Sequence, residues 1–348
     1  MEEEKAKAGE GAVWPARYSL LDAFRGMAAL AVVAFHAQFC WWGHYGVPVF
    51  FVISGYCIYA SAEAVKTRGV GAGEFMRHRI LRIYPPYVLA LLFFLATRLV
   101  KWKMTGENQL AQYTLVDYVQ NLTLTQWTRT LVGGDPPFMV AAFWSLNYEV
   151  QFYAVVGLCL AVARWHEKLD MQRQVLGLLA VSMVWCMVFE VPRYAWFLEC
   201  WPMFGLGCVA YLYLCRWRSG VARRSAEVFV GMVLVAALLG LWRGVRVFGG
   251  LTESLAAGAG FTLVLMLLRP CSDRVAGWLP VRWIGAVGVI SYSLYLIHQF
   301  NLVLVGKVVG LVMPGGGPRV LEVLLILMGH VVLAAVFWRF CERPFLRK

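Results

Sequence analysis

Ten apolar runs separated by short clusters of charge constrain this chain more than any other feature. They cover residues 19–41, 46–62, 80–100, 139–163, 175–191, 196–215, 226–242, 251–268, 284–305 and 320–340. A run of roughly 20 apolar residues spans a bilayer as a helix. The pattern therefore predicts an all-α fold, a polytopic transmembrane bundle of about ten helices. Composition agrees: 60% of the 348 residues are hydrophobic and 15% charged, against roughly 45–50% apolar and 25% charged in a soluble domain.

The formal charge is +12. A basic chain suggests nucleic acid when the charge forms a continuous patch. Here it falls in clusters between apolar runs, which excludes that class and fits positive-inside topology. With the N-terminus cytoplasmic, 22 Lys and Arg fall on the inside and 9 on the outside, with Arg25 inside the first run. Both termini are expected in the cytoplasm. Nine cysteines lie scattered with no CxxC pair; they read as small buried hydrophobes, with neither a disulfide framework nor a zinc site.

Residues 1–18 read as a flexible cytoplasmic tail with none of the features of a signal peptide. Residues 19–345 are expected to form the membrane domain. The longest outside loop, about 101–138, is placed to cover an outward-facing site. It contains Asn121-Leu122-Thr123, a glycosylation sequon by pattern alone.

Polar residues inside the apolar runs are the candidates for chemistry, because they are costly in lipid and usually face a bundle interior or a wet cavity. In the first run, Ser19-Leu20-Leu21-Asp22 resembles a capping box and predicts a helix start near Ser19. Arg25 and His36 are eleven residues apart, about three turns, so they share a face at a separation of about 16 Å. Arg25 is either an interfacial anchor or part of a polar stripe. His36 is either an interhelical hydrogen-bonder or a general base.

Arg79 and Arg82, three residues apart at the start of the third run, suit a phosphate group if the turn is helical; the alternative is an ordinary positive-inside cluster. In the fourth run Ser145, Glu149 and Tyr153 share one face. A carboxylate there needs a partner: His36 or an arginine for Glu149, or a structural hydrogen bond. In the ninth run Ser291, Tyr295 and His298 fall together, for acceptor binding or as packing glue. His330 stands alone in the last run. No helix carries the paired His spacing of a zinc motif, so His36, His298 and His330 are not read as metal ligands.

These stretches, taken in order, resemble the membrane acyltransferase-3 family. The resemblance is carried by Leu21-Asp22-Ala23-Phe24-Arg25-Gly26 with His36, by Tyr45 to Tyr56, by Arg79-Ile80-Leu81-Arg82-Ile83-Tyr84-Pro85, by Trp144-Ser145-Leu146 through Tyr153, by Ser291 to His298, and by Glu342-Arg343-Pro344-Phe345. It covers about residues 19–345. The family's fourth-helix motif often has an acidic run; here Asn147-Tyr148-Glu149 carries over only Glu149.

The resemblance implies a multi-pass O-acyltransferase of a bacterial cytoplasmic membrane. It implies an acyl-coenzyme A donor, acetyl-coenzyme A by default, a carbohydrate or glycolipid acceptor, and no permanently bound cofactor. Arg79 and Arg82 would bind the donor's phosphates, with Arg25 along the path. His36 would act as base or transient acyl carrier, tuned by Glu149. Ser145, Tyr153, Ser291, Tyr295 and His298 would serve the acceptor or support the site. A transporter or lipid-linked sugar flippase is the competing class. It needs no thioester, and the discontinuous helices and internal repeats common in transporters are not evident.

Overall fold

The computed structural model describes residues 18–166, 169–189, 196–217, 220–314 and 317–346; all but one of the tail residues 1–18 lie outside them. Among the described residues every regular element is a helix. The principal ones are α1 (Leu21–His36), α2 (Gly46–Thr67), α3 (Ala72–Thr105), α4 (Leu115–Thr123), α5 (Trp144–Trp165), α6 (Met171–Val188), α7 (Phe197–Tyr211), α8 (Gly220–Trp242), α9 (Thr252–Leu268), α10 (Leu279–Val289), α11 (Ser291–Val312) and α12 (Arg319–Phe337). Nine described helices are long and apolar enough to cross a membrane.

The first run is the exception. α1 has 16 residues, about 24 Å of helix against a hydrocarbon core of about 30 Å. It ends at His36, and the chain returns through a 3-10 turn, Trp41–Tyr45, that leads directly into α2. The expected cap also differs. Leu20, not Ser19, occupies the N-cap and makes no side-chain cap bond. The entry is instead fixed by burial of Tyr18, Leu20 and Leu21 and by the Tyr18 hydroxyl, which donates to the Leu265 carbonyl at 3.2 Å.

The ninth run breaks in two at Ile290, giving the short α10 and the spanning α11. Close packing accounts for α10. A Cβ on Gly288 would fall 1.7 Å from the Asp22 carbonyl oxygen, and one on Gly26 would fall 2.1 Å from that of Ile284. Small residues let two helix backbones approach in this way. The pair Gly55 and Gly207 does the same for α2 and α7.

α3 starts at Ala72, eight residues before its apolar run, so Arg79 and Arg82 sit on formed helix. Pro85 and Pro86 lie inside it and cannot donate to the carbonyls one turn back, which loosens the helix just beyond the arginines. The buried side chains form two apolar clusters, one centred on α2, α5, α6, α7 and α9 and the other joining α1, α3, α11 and residues 139–146. The polar site lies between them.

The loop after α3 is anchored by buried polar groups. Thr114 and Asp117 form a capping box at the start of α4. Asn121 is fully buried. Its amide donates to the carbonyls of Asp117 and Pro137 at 2.8 and 2.7 Å, and its oxygen accepts from Gln126 and from the Met139 amide. The sequon asparagine is thus a structural linchpin with no free amide to modify.

Candidate functional site

Two cavities lie back to back along the bundle. The larger, about 400 Å³, opens among α1, α2, α3, α5 and α11. Arg25, Arg79, Arg82, Asp22 and Glu149 bring charge to its wall, and Ser145, Tyr153, Ser291 and Tyr295 bring hydroxyls. The smaller, about 230 Å³, lies at the end of α1 and is lined by His36 with Phe35, His44, Trp144 and Ser254 among others. Val47, Phe51 and Tyr295 line both.

The arginine cavity is built from several helices. Arg79 donates to the Ser61 hydroxyl at 2.7 Å, and its guanidinium carbon lies 5.9 Å from the ring centres of Phe75 and Tyr153. Its buried Nε has no protein partner. Arg82, one turn on, lies within electrostatic range of Arg25. Like charges gathered around one cavity call for carboxylates or an anionic ligand to balance them. Glu149 accepts from the Tyr153 hydroxyl at 2.9 Å and interacts with Arg79 and Arg82. Glu149 therefore stands with the arginines, and it does not line the cavity that holds His36.

A second carboxylate completes the set. After α12 the helix widens into a π turn, Trp338–Glu342, a distortion frequent at functional sites. The turn buries Glu342, which accepts from the Ser293 hydroxyl at 2.5 Å and interacts with Arg82 and Arg25. Read along the sequence, Glu342 is one letter of a terminal Glu-Arg-Pro-Phe stretch. The available signal was an acid placed just beyond the most apolar of the spans.

On the other side, His36 is half-buried at the last position of α1 and stacks on His298, with ring centres 4.9 Å apart and planes inclined by 16°. His298 is fully buried. Its Nδ1 lies 2.8 Å from the Tyr295 carbonyl; a carbonyl only accepts, so Nδ1 carries the proton and Nε2 keeps a lone pair. His330 is held likewise by the Ile326 carbonyl at 2.8 Å. No group of three or more His, Cys, Asp or Glu is placed to hold a metal ion among the described residues.

Ser291 and Tyr295 face the arginine cavity, whereas His298, next on the same helix, turns to His36. Tyr295 donates to the Ala142 carbonyl at 2.6 Å. Its single proton is thereby committed, so the Ser145 hydroxyl, 2.7 Å away, donates to it. The arrangement offers guanidinium forks at one mouth, an imidazole at the other, and a thin wall between them.

Known proteins share this chain's pattern. The acyltransferase-3 model, described as an acyltransferase domain, matches residues 18–339. The chain is 24% identical over 351 residues to the peptidoglycan O-acetyltransferase OatA of Listeria monocytogenes, covering 93% of this chain and 55% of that protein. It is 27% identical over 307 residues to the putative membrane-bound transacylase BcsY of Komagataeibacter xylinus, covering 81% and 72%. It is 28% identical over 313 residues to the exopolysaccharide production protein ExoZ of Rhizobium meliloti, covering 88% and 90%. The chain thus spans about half the length of the Listeria relative. No solved structure matches. On the match across nearly its whole length, the chain belongs to the acyltransferase-3 family of membrane proteins.

Proposed function

We propose that the protein is a membrane O-acyltransferase. It moves an acyl group, acetyl by default, from cytoplasmic acyl-coenzyme A to a hydroxyl of a carbohydrate or glycolipid. The observation that carries this reading is the pair of abutting cavities, one rich in arginine and one holding His36, which share Val47, Phe51 and Tyr295 in their walls. Relatives named for peptidoglycan acetylation and exopolysaccharide production support the acceptor class.

In this mechanism Arg79 and Arg82 hold the donor's phosphates, a task suited to paired guanidinium forks. Glu149 and Glu342 balance the charge of the guanidinium groups. The acyl arm passes Arg25 toward the wall. His36 takes the proton of the acceptor hydroxyl, whose oxygen attacks the thioester carbonyl. The new C–O bond forms, the C–S bond breaks, and the proton passes from His36 to the thiolate sulfur. His36 works through its neutral form, and His298 beneath it fixes the plane of the ring.

The test is mass spectrometry of envelope glycans from cells with and without the gene, together with free thiol release when membranes receive acetyl-coenzyme A. A gain of one acyl mass and matching thiol release are expected. His36→Ala should lower turnover by about 10²–10⁴-fold, the usual weight of a general base, and Arg82→Ala should abolish thiol release while leaving the protein inserted. Normal product from pure His36→Ala protein would remove the proposed base. A glycan shift without thiol release would remove the proposed donor.

A further inference from the structure

We propose that Tyr295 is a latched gate between the two cavities, and that its swing decides whether the thioester meets an acceptor hydroxyl or water. The inference rests on the acyl-transfer reading for its chemistry and on geometry for the gate itself.

Three side chains line both cavities, and only one has a polar handle. Val47 and Phe51 belong to α2, whose backbone is pressed against α7 where Gly55 and Gly207 leave no room for a Cβ. The Phe51 ring is buried and packed against Trp144, Tyr148 and Phe204, and neither side chain has a hydrogen bond that could be exchanged. Tyr295 is held instead by its hydroxyl, which donates to Ala142 and accepts from Ser145. Two hydrogen bonds to fixed groups form a latch that opens without disturbing a helix.

A second observation supplies the open position. Ser291 lies one turn before Tyr295 on α11 and lines the arginine cavity, yet its buried hydroxyl has no partner. Long side chains on a helix lean toward its N-terminus, over the residue four places back. A swung Tyr295 therefore brings its hydroxyl to an orphaned partner, and that one new bond offsets part of the cost of leaving Ala142 and Ser145.

The gate is also tied to the candidate base. The Tyr295 carbonyl accepts a hydrogen bond from His298 Nδ1, and His298 stacks on His36. With the gate closed, the thioester is separated from the His36 side. With the gate open, the acceptor oxygen attacks the thioester carbonyl, the C–S bond breaks, and the hydroxyl proton leaves through His36 to the thiolate. Water entering through a leaky gate takes the acceptor's place, giving a free carboxylic acid and the same thiol.

Cys57 lines the arginine cavity and reports the partition without any need for activity. In sealed vesicles, a charged, membrane-impermeant methanethiosulfonate is added to one face at a time, and modification of Cys57 is read by peptide mass spectrometry. Wild-type Cys57 should react from the arginine face alone, and Tyr295→Ala protein from both. One-sided labelling in Tyr295→Ala protein would overturn the partition. Tyr295→Phe keeps the ring and removes the latch. With acetyl-coenzyme A and no acceptor, it should release thiol about fivefold faster than wild type, the ratio equivalent to one neutral hydrogen bond. Thiol release equal to wild type from folded Tyr295→Phe protein would overturn the latch. If wild type itself releases no thiol in any condition, the acyl-transfer reading fails, and the sidedness of Cys57 labelling still decides the partition.

Discussion

Asp117 shows how one side chain can hold a whole loop. It accepts from the Thr114 amide and hydroxyl, both at 2.8 Å, and pairs with Arg129. Burial pushes its carboxyl up, but the Thr114 hydrogen bonds and Arg129 outweigh burial and hold it below the usual range. A folded value below the unfolded one means the stabilisation is complete above about pH 3.9 and is lost as pH falls through the folded value. Hydrogen exchange across residues 106–143 should therefore stay flat from neutral pH down to about 4 and rise below it. In Asp117→Asn protein, exchange should already be fast at neutral pH and respond little to acid. Wild-type protection that is indifferent to acid would show that the loop is held by other contacts. The sequence made this pair hard to find, because a capping box is visible locally while its arginine partner lies twelve residues away.

At the scale of elements, α1 and α10 meet through glycine. Gly288 faces the Asp22 carbonyl and Gly26 faces that of Ile284. Backbone atoms cannot yield as a flexible side chain does. Gly288→Ala should therefore cost about 1–3 kcal/mol, in the range of overpacked cores, read as a lower unfolding temperature in detergent. Gly73→Ala, where a Cβ meets nothing within 4 Å, should leave that temperature unchanged or slightly raised. Equal behaviour of the two variants would refute the close-packing account. Apolar periodicity located the runs because lipid demands length and hydrophobicity alone. It missed the break at Ile290, which follows from a contact with a helix more than 250 residues earlier. It also ran α1 past its end, since the apolar residues of the return turn continue the run.

At the scale of the whole molecule, both described ends are tied into the bundle. Tyr18 reaches the Leu265 carbonyl at the close of α9, and Glu342 interacts with Arg25 and Arg82. The Lys and Arg bias predicts that both ends are cytoplasmic. An impermeant reagent applied to intact cells should then label a cysteine introduced into the 106–112 segment and should miss one introduced at residue 3. Labelling of residue 3 from outside would invert the topology, and with it the side from which the donor must come.

The order of apolar runs and charge clusters was enough to determine a helical membrane bundle, because the bilayer permits few alternatives to a chain so apolar. The same order located the arginines, the deep histidine and the hydroxyl-bearing faces, since polar atoms in lipid advertise themselves. Only the tertiary structure separated these residues into two chambers. It chose the arginines over His36 for Glu149, added Glu342 to them, set His298 beneath His36, and left Val47, Phe51 and Tyr295 between the chambers. Those relations depend on how helices distant in sequence face one another. That is fixed by side-chain packing and buried hydrogen bonds, to which the spacing of residues along one helix is blind.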